Sequence, residues 1–184
     1  MVWRMGEMDA YQLLAELLRA EAGVASLPEI AQKETGKPWF PDFPRLHFSL
    51  SHSGDLSLCA LGEWEVGCDV ELVRPRKENF PAYVLGGREL RWFEDRGSRW
   101  EDFYALWTLK EARGKCTGEG LVLPVRDIAV PLIEPGESGE LDGFVFTALG
   151  GETWRGALCE KLPMDHGTET GRAGSISNFG GARE

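Results

Sequence analysis

Histidine is scarce in this 184-residue chain, with three in all, and the four cysteines (Cys59, Cys68, Cys116, Cys159) show no C-x-x-C spacing. That pattern argues against both a structural zinc and a disulfide framework. No apolar run approaches the roughly 18 residues of a membrane span, and the N-terminus lacks the basic-then-apolar order of an export signal. Positive charge is also short: 20 Lys and Arg face 30 Asp and Glu, for a net charge of −10. Such a chain is not built to follow a nucleic-acid backbone or an anionic membrane. These absences point to a soluble, cytoplasmic protein with neither nucleic acid nor membrane as a partner.

What is present suffices for a globular interior. The apolar share is 42%, with seven tryptophans, enough for one domain or two small lobes sharing a core. The acidity is uneven. Residues 67–118 carry ten Lys/Arg against nine Asp/Glu, while the flanks hold ten bases and twenty-one acids. The middle of the chain therefore suits a locally anionic ligand.

Periodicity predicts the elements. Residues 8–22 read as a helix with Tyr11, Leu14, Ala15 and Leu18 on one face and Gly23 as its stop. Ser26 to Glu29 is a capping-box pattern opening a short second helix toward Lys33. Gly36-Lys37-Pro38-Trp39-Phe40-Pro41 is a stiff, extended loop. Residues 46–51 alternate, with Leu46, Phe48 and Leu50 opposite His47, Ser49 and Ser51, and residues 56–61 read as the returning strand of a hairpin. His52 falls where that first strand meets the turn. In residues 66–72, Val66, Cys68, Val70 and Leu72 share one face, and Gly67, Asp69 and Glu71 the other. Asp69 and Glu71 thus point the same way. Either they edge a solvated strand or a cation sits between them, and hard oxygen pairs suit Mg²⁺. Helices are expected at 79–85 and 88–95, and strands at 121–132, 144–149 and 154–159. From residue 164 onward the Gly/Ser/Thr-rich tail has no apolar period and is read as disordered.

Between these lies the most informative stretch. Trp100, Phe103, Tyr104 and Trp107 fall at i, i+3, i+4 and i+7, an apolar stripe on a helix ended by Gly118. On the same wheel Glu111 lands about 20° from Trp100, with Lys110 and Lys115 at the stripe's edges. A carboxylate there is either the i,i+4 partner of Lys115 or a group kept for chemistry. The helix alone leaves both open.

Four segments occur in a definite order: Gly36-Lys37-Pro38; Phe48-Ser49-Leu50-Ser51-His52-Ser53; Gly67-Cys68-Asp69-Val70-Glu71; and Trp107-x-x-Lys110-Glu111-x-x-x-Lys115. This order and spacing resemble the Sfp-type 4′-phosphopantetheinyl transferases, over about Gly36 to Leu121. The resemblance implies an α+β fold of two pseudo-symmetric lobes with coenzyme A in the cleft between them. The expected division is residues 1–66 as a shortened first lobe, 67–163 as the second, and 164–184 as a tail. It implies a holo-[acyl-carrier-protein] synthase type of enzyme that moves the phosphopantetheine arm of coenzyme A, its co-substrate, to a serine of an apo acyl or peptidyl carrier protein. Adenosine 3′,5′-bisphosphate would leave, and Mg²⁺ would be needed. By residue, Asp69, Glu71 and Glu111 match the metal-binding carboxylates, and Glu111 also matches the base. Lys115 and His52 match phosphate contacts with catalytic roles, with Ser51 beside them. Lys37 and Pro38 match the loop beside the adenine, and Lys110 is the motif lysine without an assigned role. One departure stands out. Longer relatives carry an opening strand and a basic segment before the first helix, and an arginine for the coenzyme's 3′-phosphate where Gln12 stands here. A non-catalytic relative that binds carrier protein or coenzyme A is the alternative.

Overall fold

The structure, a computed structural model, describes residues 1–163; the expected disorder of 164–184 lies outside that range. Two antiparallel sheets carry the architecture. In the first, β1 (Val2–Gly6) and β4 (His47–Ser53) flank β5 (Leu56–Gly62), giving the order β1-β5-β4. In the second, β6 (Val66–Leu72), β7 (Ser138–Leu141), β8 (Phe144–Gly150) and β9 (Trp154–Lys161) run in the order β6-β9-β8-β7. Each sheet is covered by one helix, α1 (Ala10–Glu21) on the first and α4 (Trp100–Thr117) on the second. This is the expected α+β class. Among the described residues, no helix is long and apolar enough to cross a membrane.

Helix α1 begins where Asp9 accepts hydrogen bonds from Tyr11 N (2.9 Å) and Gln12 N (3.2 Å), satisfying two of the free first-turn donors. Its buried face is Leu13, Leu14, Leu17 and Leu18, which meet Phe40 and Phe48 in a first core. Tyr11, placed on the buried stripe by periodicity, is half exposed instead. The second core forms where Phe103, Tyr104, Leu106 and Leu109 of α4 pack on β8 and β9. A third joins the sheets, from Leu58 and Ala60 of β5 to Val66, Cys68 and Val70 of β6.

Three expectations are corrected. Residues 26–33 form no helix: Ala31–Gln32 (β2) instead pairs with Pro38–Trp39 (β3), and Ile30 packs into the first core. A helix that short cannot offset its nucleation cost from a cap alone. Residues 121–132 form no strand but an irregular run with a 3-10 turn at Val125–Asp127. Pro124 and Pro131 remove ladder donors there, and the carbonyls of Val125 and Ile128 accept from Lys110 instead. Finally, an opening strand is present: all of Val2–Gly6 pairs with β5, from Val2 with Leu61 to Gly6 with Ser57. Two short helices, α2 (Phe80–Val84) and α3 (Gly87–Asp95), complete the fold near their expected positions.

The contact between α4 and β6 sets up everything that follows. A β-carbon on Gly67 would lie 2.0 Å from the Ala112 carbonyl oxygen and 2.4 Å from the Cys116 nitrogen. No side chain fits between strand and helix at that point, so the backbones touch. The close approach brings Glu111 and Lys115 of α4 over the face of β6 that bears Asp69 and Glu71.

Candidate active site

Strand β4 aligns the acids of β6 without main-chain pairing. Its alternate serines accept hydrogen bonds from alternate amides of β6: Cys68 N to Ser49 Oγ (3.0 Å), Val70 N to Ser51 Oγ (3.2 Å), and Leu72 N to Ser53 Oγ (3.1 Å). Two of these hydroxyls then donate to the carboxylates on the same strand, Ser51 to Asp69 Oδ1 at 2.8 Å and Ser53 to Glu71 Oε2 at 3.0 Å. Each hydroxyl has one proton and two lone pairs, and this arrangement uses them to hold a carboxylate still. The Ser-x-Ser-x-Ser alternation was visible in the sequence. Its role as a side-chain ladder between two sheets was not.

Lys115 reaches across from α4 and places its ammonium 2.8 Å from Asp69 Oδ1, 3.0 Å from Ser51 Oγ and 3.5 Å from the Leu50 carbonyl. Asp69 is 5% exposed, and its other oxygen, Oδ2, is buried without a hydrogen-bond partner among the described residues. Burial raises the Asp69 pKa above the usual carboxylate value, with Lys115 and Ser51 pulling the other way. The Glu111 pKa is pushed up to about 7, first by burial and then by the negative charge of Asp69 and, less, of Glu71, against the pull of Lys115. Three acids therefore feel one another, and one lysine does not offset them all.

That imbalance fits a bound divalent cation. The donors are hard oxygens, one of them an orphaned buried atom of the kind that usually has a partner. Among the described residues, however, no three His, Cys, Asp or Glu side chains come close enough together to hold a metal ion as they stand. Lys115 lies on one Asp69 oxygen and Ser53 on one Glu71 oxygen.

A cleft of about 360 Å³ opens beside Lys115. Residues 35–38 form one wall, Gly114, Lys115, Gly118 and Gly120 the other, and Tyr11, Phe48 and Leu50 line it as well. Lys37 contributes its stem to this wall, while its ammonium turns inward to Glu65, the Val66 carbonyl (3.2 Å) and the Cys116 carbonyl (2.6 Å). Pro38 lines the cleft directly. His52 does not; it is exposed and faces a separate depression of about 620 Å³ shared with Glu7, Asp9 and Asp55. Only Tyr11 borders both. So the structure brings Ser51, Asp69, Glu71, Glu111 and Lys115 together, sets Lys37 and Pro38 in the wall beside them, and turns His52 to a neighbouring, acidic depression.

Lys110, expected at a stripe edge, is fully buried. Its ammonium bonds Glu89 Oε2 at 2.8 Å and the carbonyls of Val125 (3.3 Å) and Ile128 (2.5 Å). Burial lowers its pKa, with Glu89 opposing. Glu89 in turn accepts from Gly86 N at 2.8 Å, capping α3. The motif lysine thus ties α4 to α3 and to the 121–129 segment, and points away from Glu111.

Residues 65–144 match the profile of the 4′-phosphopantetheinyl transferase superfamily. A 4′-phosphopantetheinyl transferase of Bacillus subtilis is 33% identical over 142 residues, covering 71% of this chain and 62% of that protein. The 4′-phosphopantetheinyl transferase Sfp of Bacillus subtilis strain 168 is 34% identical over 107 residues (57% of this chain, 48% of that one). The 4′-phosphopantetheinyl transferase AcpT of Escherichia coli K12 is 41% identical over 101 residues (52% and 51%). The chain thus spans between 48% and 62% of the length of these relatives. Strand β6, helix α4 and the acids they carry all lie inside the segment that matches the 4′-phosphopantetheinyl transferase superfamily.

Proposed function

We propose that this protein transfers the 4′-phosphopantetheine arm of coenzyme A to a serine hydroxyl of an apo acyl or peptidyl carrier protein, as a cytoplasmic enzyme of the holo-[acyl-carrier-protein] synthase type. The observation that supports this most is the pairing of Lys115 with Asp69, whose second oxygen has no partner among the described residues, close to the raised carboxyl of Glu111. In the reaction the serine oxygen forms a bond to the phosphorus bearing the pantetheine arm. The bond from that phosphorus to the bridging oxygen breaks, and adenosine 3′,5′-bisphosphate leaves with the electron pair. Phosphoryl transfer of this kind depends on positioning and on neutralising charge more than on covalent help.

Glu111 serves as the base that takes the serine proton. In the metal-free chain burial and the neighbouring acids raise its pKa to about 7, and a cation bound beside it would lower that value toward the ionised form that accepts a proton. Lys115 borders the cleft and carries the positive charge that faces the phosphates. Asp69, Glu71 and Glu111 are the residues that would hold Mg²⁺, which when bound supplies charge neutralisation at the phosphate oxygens. Ser51 and Ser53 keep the first two of these aligned. Pro38 and the stem of Lys37 offer the wall for the adenine. His52, in its acidic depression, is the weakest of the assigned phosphate contacts. We also read the junction near residue 67 as the boundary between two lobes, residues 1–66 and 67–163.

The second reading, a non-catalytic relative that binds carrier protein or coenzyme A, is favoured by one observation: no three acids stand within holding distance of one ion among the described residues. Intact-mass spectrometry decides between them. Apo carrier protein incubated with the enzyme, coenzyme A and Mg²⁺ gains the mass of one phosphopantetheine group, and Asp69→Ala or Glu111→Ala abolishes the gain while the folded spectrum is kept. Binding without any mass gain across a panel of carriers supports the second reading. Variants as fast as the parent remove these residues from the mechanism.

A further inference from the structure

Glu65, in the turn between β5 and β6, draws three basic side chains from two other segments. Lys33 Nζ lies 2.7 Å from Oε1, Lys37 Nζ bonds Oε2, and His47 Nδ1 is 3.4 Å from Oε2. Lys33 and Lys37 belong to the β2–β3 connection, and His47 is the first residue of β4. These contacts, His47 foremost and then Lys33 and Lys37, hold the Glu65 carboxyl well below the usual carboxylate range against the effect of burial.

Lys37 carries the connection further. Its ammonium, on a residue 8% exposed, has three donors and meets three acceptors: Glu65, the Val66 carbonyl and the Cys116 carbonyl. Cys116 lies in the last turn of α4, where carbonyls lack helical partners and the helix dipole is negative. Lys37 therefore caps α4 from another segment. One residue beyond the helix, Gly118 has φ 81°, and a β-carbon there would stand 3.1 Å from Thr35 Oγ1 and 3.3 Å from Lys37 Cβ. Loop and helix end are in contact, and these are the two walls of the 360 Å³ cleft.

We infer that Glu65 is a positioning residue for this cleft, acting through Lys37 to set the separation between the 35–38 loop and the end of α4, and so the grip on the nucleotide end of the donor. The inference rests on the reading of the cleft as the coenzyme A site. Glu65 does not line the cleft. Neutralising it leaves Lys37 with a buried charge and two carbonyls, so the loop and the helix cap loosen together. The cost then falls mainly on binding rather than on the chemical step, because Ser51 and Ser53 hold Asp69 and Glu71, and Lys115 is tied to Asp69 and Ser51.

The test compares the parent with Glu65→Gln and the conservative Glu65→Asp. Coenzyme A affinity is measured by calorimetry well below the unfolding temperature, kcat and KM by carrier-protein modification, and amide hydrogen exchange over residues 33–38 and 114–120 without ligand. For Glu65→Gln the Kd and KM for coenzyme A rise by about 10- to 100-fold, with kcat at saturation within about twofold of the parent. Exchange quickens in both segments, and Glu65→Asp recovers part of the affinity. Parent-like affinity and exchange in a folded Glu65→Gln protein overturn the inference. A parent that binds no coenzyme A overturns the reading of the cleft, and the exchange data then decide the positioning claim: unchanged protection sinks it. Should Glu65→Gln fail to fold, Lys33→Met removes one of the Oε contacts from a partly exposed side chain and gives a smaller change in the same direction. No change in Kd or exchange in that variant also refutes the claim.

Discussion

Removing the charge from Glu111 should make the metal-free protein more stable at neutral and alkaline pH, although it destroys the proposed base. In the folded chain the Glu111 pKa is raised from 4.5 to about 7. The folded state therefore holds this proton more tightly than the unfolded state does. By linkage, stability declines as pH rises from about 4.5 and the loss is complete above about 7. A shift of that size corresponds to about 3 kcal/mol at 1.36 kcal/mol per unit, and to nearer 2 kcal/mol once solvent screening of a partly exposed side chain is allowed for. Glu111→Gln lacks the titration. The variant should match the parent near pH 4.5 and exceed it by about 2 kcal/mol at pH 8, or roughly 4–8 °C in Tm for a domain of this size. Denaturant titrations of both proteins at half-unit steps between pH 4.5 and 8.5 provide the measurement. Subtracting one curve from the other cancels most groups that titrate in both proteins. Added Mg²⁺ should stabilise the parent at pH 8 more than the variant, because a cation beside Glu111 relieves the repulsion. A stability difference that stays flat across this range would refute the electrostatic account of Glu111.

Much of the fold and part of the site could be read from the chain. Strand β6 was expected at its observed limits because Val66, Cys68, Val70 and Leu72 alternate cleanly against Gly67, Asp69 and Glu71, although Gly67 and Asp69 on that second face turn out buried too, beneath α4. Helix α4 announced itself through its aromatic stripe and Gly118. Local pattern failed where partners distant in sequence decide the outcome. Val2–Gly6 has little alternation of its own and becomes a strand because β5 offers a free edge. Residues 121–132 look extended and apolar, yet the carbonyls of Val125 and Ile128 accept from Lys110 instead of joining a sheet. The same limit applies to the site. The spacing of Asp69 and Glu71 puts them on one face without showing that Ser51 and Ser53 hold them there. Glu65 carries no motif: its importance lies in Lys33, Lys37 and His47 reaching it from elsewhere, and no periodicity encodes that. The company His52 keeps, Glu7, Asp9 and Asp55, was likewise not legible in the sequence, because those residues reach it from other segments and the turn.

Two further predictions concern the helix that carries the site. Gly67→Ala should abolish stable folding or lower stability by about 3–5 kcal/mol, because the added carbon meets the backbone of Ala112 and Cys116 with no flexible side chain to yield; an unfolding midpoint near the parent's would show that α4 can lift off β6 at little cost. Lys110→Met should cost about 3–5 kcal/mol by leaving Glu89 buried and unpaired, together with two carbonyls that lose a donor. Pairing it with Glu89→Leu should recover part of that loss, since two apolar side chains then replace two charges, although Gly86 N loses its capping acceptor. Equal stability of the single and double variants in urea titration would mean that the carbonyls of Val125 and Ile128, not Glu89, are the partners that matter to Lys110.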